Sequence, residues 1–202
     1  MFEYVRAGGI TMIPLILLSV VALAIIIERW VLLRRAIRGN ETLLAALGNL
    51  PPAAPMADAR NLARTIPSPL GEMLGRLPDS ADDDTAALHT LSAAGSRIYR
   101  GLSKRLELLS TLSQVAPLLG FFGTVTGMIH AFRDIERTTG AGQVVNPQIL
   151  ASGMWEALIT TAAGLAIGIP AYAVHNYIAH EVNRLLAETE EEVKEWMTRR
   201  KP

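Results

Sequence analysis

Gln114–Phe132 reads QVAPLLGFFGTVTGMIHAF, an uncharged run apolar enough to lie in a bilayer. A span that served only as an anchor would be built from Leu, Ile and Val. This one carries Thr124 and Thr126 among Gly120, Gly123 and Gly127. Gly123 and Gly127 form a G-x-x-x-G pattern, and small residues at that spacing let a second helix approach closely. Trp155–Tyr172 (WEALITTAAGLAIGIPAY) has the same design: Thr160 and Thr161, then Gly164 and Gly168, with one acid, Glu156, near its start. The two stretches are expected to pair and to line a polar path through a membrane.

Composition points the same way. Half of the 202 residues are hydrophobic, and they concentrate in three segments, which is a membrane signature. Formal net charge is zero and aromatic content is 5%, so neither an electrostatic footprint for nucleic acid nor a base-stacking platform is present. With no cysteine, thiol catalysis and Cys-based metal sites are excluded.

The first of the three segments, Ile10–Ile27, is free of charge and long enough to cross a bilayer as helix, about 27 Å. Glu28-Arg29-Trp30 follows it in place of a small-residue cleavage site, so it reads as a retained anchor, not a signal peptide. Trp30 suits the interface. Residues 39–84 read as soluble and broken by prolines into short helices, with Asn40 and Asp58 as expected N-caps. From Asp82 the apolar residues Leu88, Leu91, Ile98, Leu102, Leu106 and Leu109 recur at helical spacing, and one helix is expected from near Asp82 to near Arg133. Arg133–Val145 reads as an external loop. Asn146-Pro147 is a good helix start, and the third span continues as an amphipathic tail with Val182, Leu185, Leu186, Thr189, Val193, Trp196 and Met197 on one face.

The expected layout is all-α with three transmembrane helices, two of them extended far into the cytoplasm. It runs as an external N-terminus (1–9), a first span (10–28), a cytoplasmic helical region (29–107), a second span (108–132), an external loop and helix start (133–154), a third span (155–178) and a cytoplasmic tail (179–202). Of 19 Lys and Arg residues, only Arg6, Arg133 and Arg137 fall outside in that layout, so the positive-inside rule places the N-terminus out and the C-terminus in.

The candidate site residues follow from type and depth. Thr124 lies eight residues before Phe132, about 12 Å in from the outer end, and Thr161 lies about 7 to 8 Å beyond Glu156. On antiparallel helices those hydroxyls meet at similar depth, with Thr160 beside them. Taken singly, each threonine has a plain structural reading, a bond to its own helix. Glu156 is either an interfacial acid or a group at the mouth of an ion path, because an acid inside a span must be hydrated or paired. Pro117 and Pro170 each free a backbone carbonyl and loosen their helices locally. His130 and His175 lie at opposite ends of the spans, so no metal site is expected, and no cofactor. No catalytic constellation or phosphate loop appears, so an enzyme is not expected. Between residues 108 and 175 the spans offer Glu156 and His130, both near the outer end, as candidate proton carriers. If protons cross here, the mid-membrane acid comes from another chain.

VAPLLGFFGTVTGMIHAF and EALITTAAGLAIGIPAY, with Asn176-Tyr177 after the third span, strongly resemble the two signature segments of the MotA/TolQ/ExbB proton-channel family. The resemblance is specific over residues 108–177 and looser elsewhere. Three spans and this length look like the ExbB or TolQ branch, with the loop lengths leaning toward ExbB. The resemblance implies a homopentamer in the bacterial inner membrane around the single-span helices of an ExbD- or TolR-type partner that carries an essential aspartate. Proton flow past that aspartate would power TonB-dependent transport at the outer membrane or, in the TolQ-like alternative, TolA and envelope maintenance. It also implies that Thr124 and Thr161 are pore-lining and that Glu156 is the acid heading the third span. Thr160 departs from the small apolar residue of many relatives, which leaves open which threonine faces the lumen. The rival from another class is a non-conducting membrane scaffold.

Overall fold

A computed structural model describes residues 9–51, 55–77, 84–140 and 147–198 of the chain. The described residues form six helices: α1 (Met12–Gly48), α2 (Met56–Thr65), α3 (Pro69–Arg76), α4 (Asp84–Ser103), α5 (Leu106–Gly140) and α6 (Pro147–Thr198). No strand occurs among them. Three helices, α1, α5 and α6, are long and apolar enough to cross a bilayer, and the most apolar window of each is only 22 to 28% buried. Such faces stay apolar and exposed only where lipid or other apolar chains replace water. At 52 residues, α6 is about 78 Å long and must leave the bilayer. The expected N-cap Asn146 and the expected first-turn acids Asp82 and Asp83 lie outside the described residues.

The fold divides into two compact units, Met1–Ile26 with Arg105–His175, and Ile27–Lys104 with Asn176–Pro202. The first holds the apolar parts of α1, α5 and α6. There Met12 and Leu15 of α1 pack with Ala116 and Leu119 of α5 and with Ile159, Ala163 and Ile167 of α6. Large apolar side chains such as Leu118, Phe121, Phe122, Val125, Ile129 and Phe132 of α5 remain exposed.

The second unit is built as a soluble helical domain is built. α1 supplies Leu33, Ala36, Leu43 and Leu47, α3 supplies Leu70, Met73 and Leu74, and α4 supplies Ala87, Leu91, Ala94 and Ile98. From α6 come Ile178, Val182, Leu185, Leu186 and Val193, all buried. Trp30 stacks on Tyr177 with ring centroids 5.7 Å apart, and the Arg34 guanidinium lies 4.8 Å over the Trp30 ring. Ser68 caps α3 by accepting from Gly71 N at 3.0 Å, with Pro69 as its first helical residue.

Five local expectations are corrected. α1 runs through Asn40 to Gly48, so Asn40 is no N-cap. Gly39 there has no side chain to block Pro67 and Ser68: a β-carbon on Gly39 would lie 2.7 Å from Pro67 O. Tertiary contact has overridden the weak helix propensity of Gly and Asn. Asp58 sits in the first turn of α2 and Pro55 is at the cap, so the acid serves the helix dipole. The helix expected from Asp82 to Arg133 is two helices. Arg105 has φ 68°, a left-handed conformation that costs a residue with a β-carbon about 1 kcal/mol or more, and α5 restarts with Leu109 N donating to Arg105 O. Residues 133–140, expected as loop, continue α5, where Asp134 faces Arg137 at 3.8 Å. Leu88 is exposed; the buried stripe of α4 is Ala87, Leu91, Ala94 and Ile98.

Candidate functional site

The antiparallel seam between α5 and α6 is made of small residues in a constant register. Ala116, Gly120, Gly123, Gly127 and Ala131 face Gly168, Gly164, Thr160, Ala157 and Gly153. A β-carbon on Gly120 would lie 2.8 Å from Thr160 O, and one on Gly164 would lie 2.6 Å from Ala116 O. One on Gly123 would meet Thr160 Cβ at 2.6 Å. At Gly127 the fit is looser, with Ala157 N and Gly153 O both 3.2 Å from the same construction. The five glycines Gly120, Gly123, Gly127, Gly164 and Gly168 thus all lie at the seam. Ala116, Ala131, Gly153 and Ala157 extend the row. Their signal was in the sequence as small residues three and four apart, beyond the two G-x-x-x-G pairs.

Pro117 explains the last glycine. Its ring occupies the space where a Gly168 β-carbon would be, with Pro117 Cγ 2.6 Å away, and Ser113 O lies 2.8 Å from the same point. Proline has no N–H, so Ser113 O has lost its usual partner four residues on. Both α5 at Pro117 and α6 at Pro170 continue as helix through the proline.

The threonines take different places. Thr160 has no exposed surface; its hydroxyl donates to Ala157 O at 2.8 Å and Glu156 O at 3.2 Å while its side chain fills the notch at Gly123. Thr161 is half-buried and donates across the seam to Gly120 O at 3.0 Å. Thr124 is half-buried and donates to Phe121 O at 2.6 Å in its own helix. At 100° per residue, Thr124 and Thr161 are each rotated roughly 60° off the seam. Because the helices are antiparallel, those rotations bring both to the same side. Leu119, Ala163 and Ile167, which meet α1, lie on the other side. In the seam register Thr124 and Thr161 are level to within about 1.5 Å, one residue's rise.

Glu156 does not join them. Its carboxylate lies against the backbone of Gly9, which has φ 62° just before α1. It is therefore level with the start of the first apolar run, on the α1 side of the seam. Among the described residues no group of three or more His, Asp or Glu side chains converges as a metal site would require.

Arg29 is a functional-looking residue that sequence reasoning read only as a topological charge. It is 4% exposed and donates from Nη1 to Gly101 O at 3.2 Å and Leu102 O at 3.3 Å, with Nη2 to Glu28 Oε1 at 2.7 Å. A guanidinium thus caps the last carbonyls of α4 just before the break at Lys104-Arg105. Only an arginine after an apolar run marked it, and that signal cannot tell a buried cap from an exposed charge.

Three long apolar helices, two of them zipped by glycines, define a multi-pass helical membrane protein. The chain belongs to the MotA/TolQ/ExbB proton channel family, whose model matches residues 59–191. That family is one of membrane channels, not of a known enzyme class. An ExbB-like biopolymer transport protein of Synechocystis is 38% identical over 175 residues, covering 83% of this chain and 66% of the relative. The Tol-Pal system protein TolQ of Haemophilus influenzae is 38% identical over 98 residues, 48% of this chain and 41% of that protein. The biopolymer transport protein ExbB of Salmonella typhimurium is 29% identical over 180 residues, 85% and 72% respectively. The chain thus matches less than two thirds of the length of the first of these and less than half of the second.

Proposed function

We propose that this chain is a proton-channel subunit of the ExbB type. In this reading it sits in the bacterial inner membrane with its N-terminus outside and its C-terminus inside. It assembles as a pentamer around a single-span ExbD- or TolR-type partner that brings a membrane aspartate, and the proton motive force then energises a TonB-type protein for outer-membrane transport. The observation that carries the proposal is the pair Thr124 and Thr161: two half-buried hydroxyls, level with each other, on the side of the seam away from α1. Hydroxyls there can pass a hydrogen bond along without holding a charge, while a partner's carboxyl would carry the proton. Glu156, at the level of Gly9, is assigned to the outer mouth, and Thr160, wholly enclosed, to packing. Pro117 and Pro170 are assigned as points where the helices yield. The TolQ relative keeps a second reading open, in which the same channel serves a TolA-type protein in envelope maintenance.

The test is proton flux into liposomes that hold this chain alone or with its candidate single-span acidic partner. Flux is expected only with the partner. Thr124→Val and Thr161→Val should each lower it by about tenfold or more, the size of a lost positioned hydrogen bond in a dry site. Flux from this chain alone would overturn the missing-carrier argument. An assembled complex that conducts nothing would favour the scaffold.

A further inference from the structure

Between α3 and α4 lies an open cleft of about 600 Å³, lined by Arg76, His89, Ala93, Ala94, Arg97 and Arg100. Both helices belong to the second unit, so the cleft is independent of the seam and of the function proposed for it. Its charge is lopsided. Glu72 Oε1 holds Arg76 Nη2 at 3.2 Å and Arg97 Nε at 3.8 Å. Among the described residues, three guanidinium groups and His89 meet one carboxylate at the cleft, that of Glu72.

Arg97 and Arg100 sit three residues apart on one face of α4, and His89 lies two turns earlier on the same face. Ala93 and Ala94 between them keep the floor low. The Arg97 side chain is 66% exposed even while it meets Glu72, so most of its N–H donors point to solvent. Guanidinium forks recognise oxyanions through paired hydrogen bonds, and a phosphate offers three acceptor oxygens and up to two negative charges.

We propose that the α3–α4 cleft is a binding site for a phosphate-bearing anion, held by Arg97 and Arg100 with Arg76 and His89 at its margin. The phosphate has two candidate sources. One is a soluble phosphate compound. The other is an anionic lipid headgroup, since Arg97, Arg100, Lys104 and Arg105 form the basic cluster on the chain's approach to the apolar part of α5, and such clusters attract acidic lipids.

The experiment uses the full chain in phosphatidylcholine nanodiscs, titrated with inorganic pyrophosphate by calorimetry. In parallel, the unfolding midpoint is compared between nanodiscs with and without phosphatidylglycerol. Saturable pyrophosphate binding that weakens about tenfold or more in Arg97→Gln/Arg100→Gln, the loss expected for a charged hydrogen bond, supports a soluble ligand. No pyrophosphate binding, but a phosphatidylglycerol stabilisation that disappears in the same variant, supports the lipid source. Arg100→Lys keeps the charge and should retain part of the effect. Failure of both probes, or binding that the double substitution leaves unchanged, overturns the proposal. Circular dichroism on each variant separates lost binding from lost folding.

Discussion

The two units solve the same problem, holding helices together, by opposite means. In the unit of the spans, α5 and α6 meet through glycine, alanine and one buried threonine, and backbone touches backbone. In the other unit, α1, α3, α4 and α6 meet through leucine, isoleucine and methionine, with buried polar pins between them. The solvent explains the difference. Lipid offers helices no hydrophobic reward for burying leucine, so close approach and dispersion must hold the seam. Water does reward it, at about 25 cal/mol per Å² of apolar surface buried.

The comparison breaks most sharply at Gly164. Its substitution by leucine puts a side chain where Ala116 O and Gly120 already stand, with backbone atoms that cannot turn aside. Gly164→Leu is expected to prevent the seam from closing, read as loss of folded protein in detergent by gel filtration and circular dichroism. Gly127→Ala, where contacts are 3.2 Å or longer, is the mild counterpart and should leave the fold intact. In the leucine-built unit the opposite change does the damage. Leu43 is fully buried, and Leu43→Ala should cost about 2–5 kcal/mol through the cavity it leaves, measured by chemical unfolding.

A smaller effect tests the polar pins. Asn40 Nδ2 donates to Thr189 Oγ1 at 2.7 Å, and its Oδ1 accepts from Leu70 N at 2.9 Å, one of the free N–H groups at the start of α3. Asn40→Ala should cost about 1–3 kcal/mol by leaving buried groups without partners, and amide exchange should show the loosening first in α3. The smallest effect is a dependence on pH. Glu192 lines a cavity of about 180 Å³ with Leu44, Leu47, Leu70, Leu74 and Trp196, and its Oε2 is buried without a hydrogen bond. Burial, then the charges of Glu188 and Glu195, push its carboxyl above the ordinary value of 4.5. The folded state therefore holds this proton more tightly than the unfolded state does. Stability from this group is full below the ordinary value and falls as pH rises through the raised one. Glu192→Gln should raise the unfolding midpoint at neutral pH and leave it unchanged in acid. An equal shift at both pH values would mean that charge is not the cause.

Much of the candidate seam was legible in the sequence. Glycines at Gly123, Gly127, Gly164 and Gly168 have no use on a lipid face, and threonines beside them have little use in an anchor. Periodicity also marked the buried face of the tail: Val182, Leu185, Leu186, Thr189 and Val193 are all buried. What misled was local punctuation. Gly39-Asn40 reads as a helix break and cap. Its real task is to let the Pro67–Ser68 turn approach α1 and to hold α3 in place, a contact thirty residues away that no local rule contains. The break at Arg105 was invisible for the converse reason, since no glycine or proline announces it.

The amino-acid sequence by itself determined the class: three spans from the lengths of their apolar runs, and the seam from small residues at helical spacing. These are one-dimensional signals, because a bilayer fixes element length and a helix fixes period. Tertiary structure alone decided which threonine is enclosed and which two share a side. It also decided that Glu156 lies beside Gly9 and that Arg29 is a buried cap. Each depends on how one helix is rotated against another, and that rotation is settled by contacts summed over the whole seam, not by any residue's own neighbours in the chain.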